Sequence, residues 1–163
     1  MMVMLLKPGD EAVISGDRQN FPRHLRLKCN AEAILFQRFQ ELTWQNEFRA
    51  DSLENALIEQ QDSVGFYSLA LKADTLLHQI REQEKQTARD FIRAHPSSLA
   101  SLLVLNYMFG TSPLFTPEEY QPLYHSLDSA LYPKFAGNTH VEYHHRRIHA
   151  KQPGPSDAGK HKQ

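Results

Sequence analysis

Cysteine is almost missing from this chain: the 163 residues contain only Cys29. A lone thiol excludes an internal disulfide, a Cys-x-x-Cys dithiol and a four-cysteine zinc site within these residues. Long apolar runs are missing too, since no stretch approaches the roughly 18 uninterrupted apolar residues of a membrane-spanning helix. Met1 to Leu6 is apolar, but it has no basic leading region and runs into Lys7-Pro8-Gly9-Asp10 before any small-residue cleavage site, so it is not expected to act as a signal peptide. Neither charge dominates, with 18 Lys and Arg against 19 Asp and Glu. That balance argues against a dedicated nucleic-acid binder, which would carry a strongly basic face. No phosphate-cradling glycine loop and no G-x-S-x-G nucleophile turn is found. What is present is ordinary globular composition, 40% hydrophobic and 23% charged, in a length suited to one small domain.

The balanced total hides an uneven distribution. Residues 143–163 carry Arg146, Arg147, Lys151, Lys160 and Lys162 against Asp157, a net of +4, and the remainder is mildly acidic. From Lys151 onward the segment is polar and rich in Pro and Gly, which predicts a disordered tail or a severed linker.

Short runs at Met2–Leu6 and Glu11–Ser15 flank Pro8-Gly9, a pair suited to a tight turn, and predict strand, turn, strand. Leu25–Lys28 alternates apolar with basic residues and suits a third, half-buried strand. From Ala31 the period becomes helical, with Ile34, Leu35, Phe39, Leu42 and Phe48 as the apolar stripe and Asn30 as N-cap. A second long helix is expected from about Phe66, lined by Leu69, Ala73, Leu76, Leu77, Ile80, Thr87, Phe91 and Ile92. Its polar face is Lys72, Asp74, Arg81, Glu82, Lys85 and Arg89, and His95-Pro96 ends it. These two segments predict an antiparallel helical hairpin. Ser97 or Ser98 then caps an apolar helix over Leu99–Phe109 that Gly110 stops. Thr116-Pro117-Glu118-Glu119 spells a capping box with its proline, opening a helix to about Tyr132. A last helix starts at Asn138-Thr139, with Thr139 and Glu142 again at capping-box spacing. The fold class expected is therefore mainly α, with about five helices and a small N-terminal β-hairpin or three-strand remnant. The division is 1–29 β remnant, 30–150 helical domain and 151–163 tail.

Nine histidines are many for this length, and four fall at His140, His144, His145 and His149. Side chains four apart share a helix face, so His140 with His144, and His145 with His149, each form a possible two-imidazole clamp. Successive residues turn by about 100°, which separates the two pairs and prevents one helix from wrapping a single ion with all four. His145 is expected at the edge of the core, on the stripe of Val141 and Ile148, and His144 in water. His140 and His144 are the metal candidates retained, with no resident metal or cofactor expected. Cys29 follows Lys28 near a helix N-terminus, a setting that lowers a thiol pKa, but the sequence offers no base beside it, so a structural role is expected. Phe36, Phe39, Trp44, Tyr107, Phe109, Tyr120 and Tyr124 follow helical spacing and are expected in the core. Carboxylates are assigned to solvated faces.

Three segments together carry a resemblance: LLKPGDEAVISGD over residues 5–17, FIRAHPSSLAS over 91–101, and LDSAL over 127–131 followed by a helix from Thr139 to Ile148. Their order and spacing resemble the region preceding the thioredoxin-like domain of envelope thiol-disulfide oxidoreductases from Gram-negative gut bacteria, over residues 3–149. The resemblance implies a non-catalytic N-terminal module, periplasmic or envelope-associated, that positions or dimerises a thioredoxin-like reductase. The departures are an absent export signal, absent earlier strands, and Cys29-Asn30 where a Gly-Ser pair is expected. Without an export signal a complete chain would stay in the cytoplasm; read with the resemblance, the chain is a fragment, a truncated product or an isolated module. Two alternatives come from other classes: a cytosolic helical interaction protein docking a partner helix on the Phe66–Ile92 segment, and a metal-binding module at the last helix. Expected partners are a thioredoxin-like domain or a second copy joined through unpaired strand edges, and neither a specific nucleic acid nor a membrane span is expected.

Overall fold

The computed structural model describes residues 9–15 and 26–149. Strand β1, Val13–Ser15, pairs antiparallel with β2, Arg26–Lys28, in the register Val13 to Lys28 and Ser15 to Arg26. The expected Met2–Leu6 strand and the tail from Lys151 lie outside the described residues. The β1 side chains stay in water, Val13 at 56% exposure, so this strand contributes little to the core.

Asn30 joins the ribbon to the first helix. Its Oδ1 accepts the Ala33 backbone N–H at 2.9 Å, satisfying one of the free donors of helix α1, Ala31–Glu59, while its Nδ2 donates to Asp10 at 2.5 Å. Residues 60–65 then turn the chain through bonds from Ser63 N–H to Gln60 O and from Phe66 N–H to Ser63 O. Helix α2, Phe66–Ala94, returns along α1. Phe39 near the start of α1 meets Phe91 near the end of α2, and only residues 60–65 separate the other two ends, so the hairpin is antiparallel.

The buried face of α1 is Ala33, Phe36, Phe39, Thr43 and Ala50, rotated from the stripe expected: Leu42 and Phe48 are 63% and 57% exposed. On α2 the buried set is Ala73, Ile80, Glu84, Lys85, Ala88, Phe91 and Ile92. Lys85, assigned to water from its charge, is buried because its ammonium meets Glu82 at 3.0 Å and Glu119 at 3.2 Å while its stem covers the core. Leu76, assigned to the core, is exposed.

A sharp corner follows. Ser98 caps α3, Leu99–Leu105, and Glu32 from the first turn of α1 crosses to it, accepting the Ser98 hydroxyl and the Ala100 N–H. Ser101 donates back to the His95 carbonyl at 2.6 Å. Helix α3 stops at Leu105 rather than at Phe109. Asn106 sends its side-chain amide to the Leu102 carbonyl at 2.8 Å, and the chain turns into a two-residue-strand hairpin. In it β3, Met108–Phe109, pairs with β4, Ser112–Pro113, around Gly110 at φ +59°, a left-handed conformation that glycine adopts without steric penalty.

Helix α4, Pro117–Leu131, opens with the expected capping box: Thr116 accepts from Glu119 N–H at 3.4 Å and Glu119 accepts from Thr116 N–H at 3.0 Å. Helix α5, Thr139–His149, is capped by Asn138, not Thr139; Asn138 Oδ1 accepts the N–H groups of His140 and Val141. The core lies where the base of the α1/α2 hairpin meets α3, α4 and α5, with Phe39, Ala88, Val104, Leu114, Tyr124, Leu127, Leu131 and Val141 out of contact with water. The outer half of the hairpin, residues 51–72, buries none of its residues. No helix of the described residues is long and apolar enough to cross a membrane.

Phe39→Ala is expected to lower stability by about 3–5 kcal/mol, whereas Tyr67→Ala in the outer half changes it by no more than about 0.5 kcal/mol. Urea unfolding of both variants checks the contrast.

Candidate functional site

The histidine-rich helix α5 rests on α4 through Val141, which is fully buried, and Ile148, which is partly so. This docking sends neighbouring histidines to different places. His144 lies against α4, half-buried, with Nδ1 2.8 Å from the Tyr120 hydroxyl and its ring 4.9 Å from that of Tyr124. It therefore does not face water as its charge pattern suggested. Burial holds its pKa below the usual imidazole range, and the charges of Arg147 and His140 push it the same way. His140 is exposed, and no third metal-ligating side chain joins it and His144 among the described residues.

The other pair converges on a carboxylate. His145 Nδ1 donates to both oxygens of Asp128 at 2.9 Å, and His149 Nε2 donates to Oδ2 of the same residue at 3.2 Å. The three donor atoms lie within 4.8 Å of one another. The Tyr132 ring stacks on His145 with centroids 3.6 Å apart, which fixes the orientation of the imidazole. Asp128 is 8% exposed, against the expectation that the carboxylates face solvent. The pair His145/His149 was visible in the sequence as an i, i+4 spacing. Its third member was hidden, because residue 128 approaches residue 145 only when α4 and α5 pack.

A second polar group is buried between the long helices, and no sequence signal marked it. Glu84 on α2 is fully buried, and neither carboxyl oxygen has a hydrogen-bond partner. Its pKa is raised to about 8, chiefly by burial and further by the negative charge of Glu47 on α1. Glu47 accepts the Tyr107 hydroxyl, and the phenol pKa is raised in turn by burial and by that bond. Thr43, also buried, bonds the carbonyls of Phe39 and Gln40. Around neutral pH Glu84 thus carries a proton that an exposed glutamate would have lost, and it acts as a neutral filler of the helix interface.

A third group ties α2 to α4. Glu119 meets Arg89 at 2.5 Å and Lys85 at 3.2 Å. Its carboxyl is held below the ordinary range, first by the Thr116 N–H and then by Lys85 and Arg89. All these charges are matched, which makes the group a clasp between helices. Cys29 is half-buried with a free thiol just before the Asn30 cap.

No family model, curated protein or solved structure matches the chain.

Glu84 supplies a pH test. Its folded pKa lies above the unfolded value of 4.5, so the folded state binds the extra proton between the two, and this contribution to stability is complete below pH 4.5 and lost as pH rises through about 8. Urea unfolding at pH 5 and pH 8 is expected to show a decline that Glu84→Gln removes. Glu84→Met is expected to gain about 1–3 kcal/mol at pH 8, because it takes away the unpaired buried group.

Proposed function

We propose that this chain is a non-catalytic accessory module of the kind that precedes the thioredoxin-like domain in envelope thiol-disulfide oxidoreductases, and that it serves to position such a domain. The observation that carries the reading is the use to which residues 91–101 are put. Phe91, Ile92, Leu99 and Ala100 are buried, Ser98 caps α3, and Ser101 bonds the His95 carbonyl. The segment that bears the resemblance is a structural corner, as a scaffold requires. The lone Cys29 supports the same reading, since a dithiol reaction needs a second thiol that these residues do not contain. The outer half of the hairpin offers a contact face, with Ile58, Tyr67 and Leu71 between 62% and 82% exposed. Those side chains also favour the second reading, a helical interaction module that docks a different partner protein on α2. A periplasmic or envelope location belongs to the first reading and a cytosolic one to the second.

Assayed for reduction of a model protein disulfide with dithiothreitol as electron source, the chain is expected to match the rate of dithiothreitol alone, and Cys29→Ser is expected to change nothing; turnover that depends on Cys29 would overturn the proposal. Calorimetric titration with an isolated thioredoxin-like domain of the resembled class is expected to show binding that the double variant Tyr67→Ser, Leu71→Ser weakens by about tenfold or more. Absence of binding to that domain favours the second reading.

A further inference from the structure

Asp128 is a buried carboxylate whose ion-pair partners among the described residues are two imidazoles and no lysine or arginine. It stands in the last turn of α4, which ends at Leu131, where the negative end of the helix dipole disfavours a carboxylate and favours a cation. The two imidazoles satisfy its oxygens by hydrogen bonding, and no guanidinium or ammonium stands beside them among the described residues. The same three side chains have the composition and spacing of a transition-metal site.

We propose that Asp128, His145 and His149 bind a divalent metal ion of the zinc class, linking α5 to α4. Around a tetrahedral zinc, with bonds of about 2.0–2.1 Å, neighbouring ligand atoms stand roughly 3.3 Å apart. Asp128 Oδ2 already lies 2.9 Å from His145 Nδ1 and 3.2 Å from His149 Nε2. Those two edges need lengthen by only tenths of an ångström, and the two nitrogens lie within 4.8 Å of one another, so that rotation of the imidazoles closes the third edge around an ion. One turn of α5 separates the two histidines and places them on one face, so a single backbone segment presents both. Tyr132, stacked on His145, holds that ring ready for the ion as an outer-shell group does in metal sites. Two nitrogen donors and one oxygen donor select zinc and its transition-metal neighbours over calcium and magnesium, which take oxygen ligands. Three protein ligands leave a fourth position for water or a further ligand, and solvent reaches the group beside His149, whose side chain is 57% exposed. On binding, the ion takes the place of the protons between Asp128 and the imidazoles, and each ring stays a neutral ligand by carrying its N–H on its other nitrogen, Nε2 of His145 and Nδ1 of His149.

The test uses the full chain without any affinity tag, at pH 7.5. Calorimetry with zinc is expected to give one ion per chain, and cobalt is expected to give the intense visible absorption of a tetrahedral centre. Millimolar magnesium or calcium should not compete. His149→Gln and Asp128→Asn are each expected to weaken binding by at least about tenfold, since even outer-shell partners of metal sites are worth 10–100-fold. His140→Ala and His161→Ala should leave it unchanged. His149 lies at the surface and its replacement does not disturb the core, so His149→Gln decides the matter where Asp128→Asn fails to fold. Failure to bind zinc at 100 µM overturns the proposal, as does binding that is insensitive to His149→Gln or that follows His140 or His161 instead.

Discussion

The meeting of Phe39 with Phe91 governs how the long helices are aligned. Their rings sit edge to face with centroids 5.2 Å apart, and Tyr107 meets Phe39 edge to face at the same distance. Such aromatic contacts combine large apolar area with a directional preference, so they fix rotation as well as separation. Once Phe39 faces inward, the helical period brings Thr43 and Ala50 to the same side and turns Leu42 and Phe48 out to water. On α2 the same requirement carries Ala88 inward along with Glu84 and Lys85. These two buried ionisable groups of α2 are consequences of that alignment, and each is accommodated differently. Lys85 reaches carboxylates at the margin, whereas Glu84, with no partner, retains a proton.

The base of the hairpin is also where α3 and α4 attach. Glu32 links the start of α1 to the start of α3, and Glu119 links the start of α4 to the last third of α2. Both carboxylates accept backbone N–H groups in the first turn of a helix, where the helix dipole favours negative charge, so each acts as a cap and a cross-link at once. Away from this junction, residues 51–72 project with little burial. The described residues thus divide into a packed base and an extended, partly apolar arm. The histidine-rich helix α5 is attached mainly through Val141, and the Asp128 group supplies a polar fastening at its last turn.

Much of this architecture was legible from local signals. The Asn30 cap, the end of α2 before Pro96, the Ser98 cap and the Thr116/Glu119 box all appear where residue type and spacing placed them, since each depends on atoms within four residues of one another. The errors came where a local preference had a competitor. Leu99–Phe109 reads as one apolar helix, yet Asn106 takes over the helix-end carbonyl and the Gly110 turn pairs Met108 and Phe109 with a strand that the apolar pattern did not reveal. Asn138 outcompetes Thr139 as a cap because its longer side chain reaches two backbone donors.

The order of residues alone is enough for the helical class, for most of the helix punctuation and for the count of a single thiol in these residues, because these follow from period, capping geometry and composition. Only the tertiary structure decided which face of each long helix is inside, that Glu84 is buried with a proton, and that Asp128 completes a group with His145 and His149 while His144 turns to Tyr120 and Tyr124. The physical reason is the same in each case. A helical pattern of 3.6 residues per turn leaves the inward direction uncertain by one residue in either direction, and only contact with a second helix selects among those rotations.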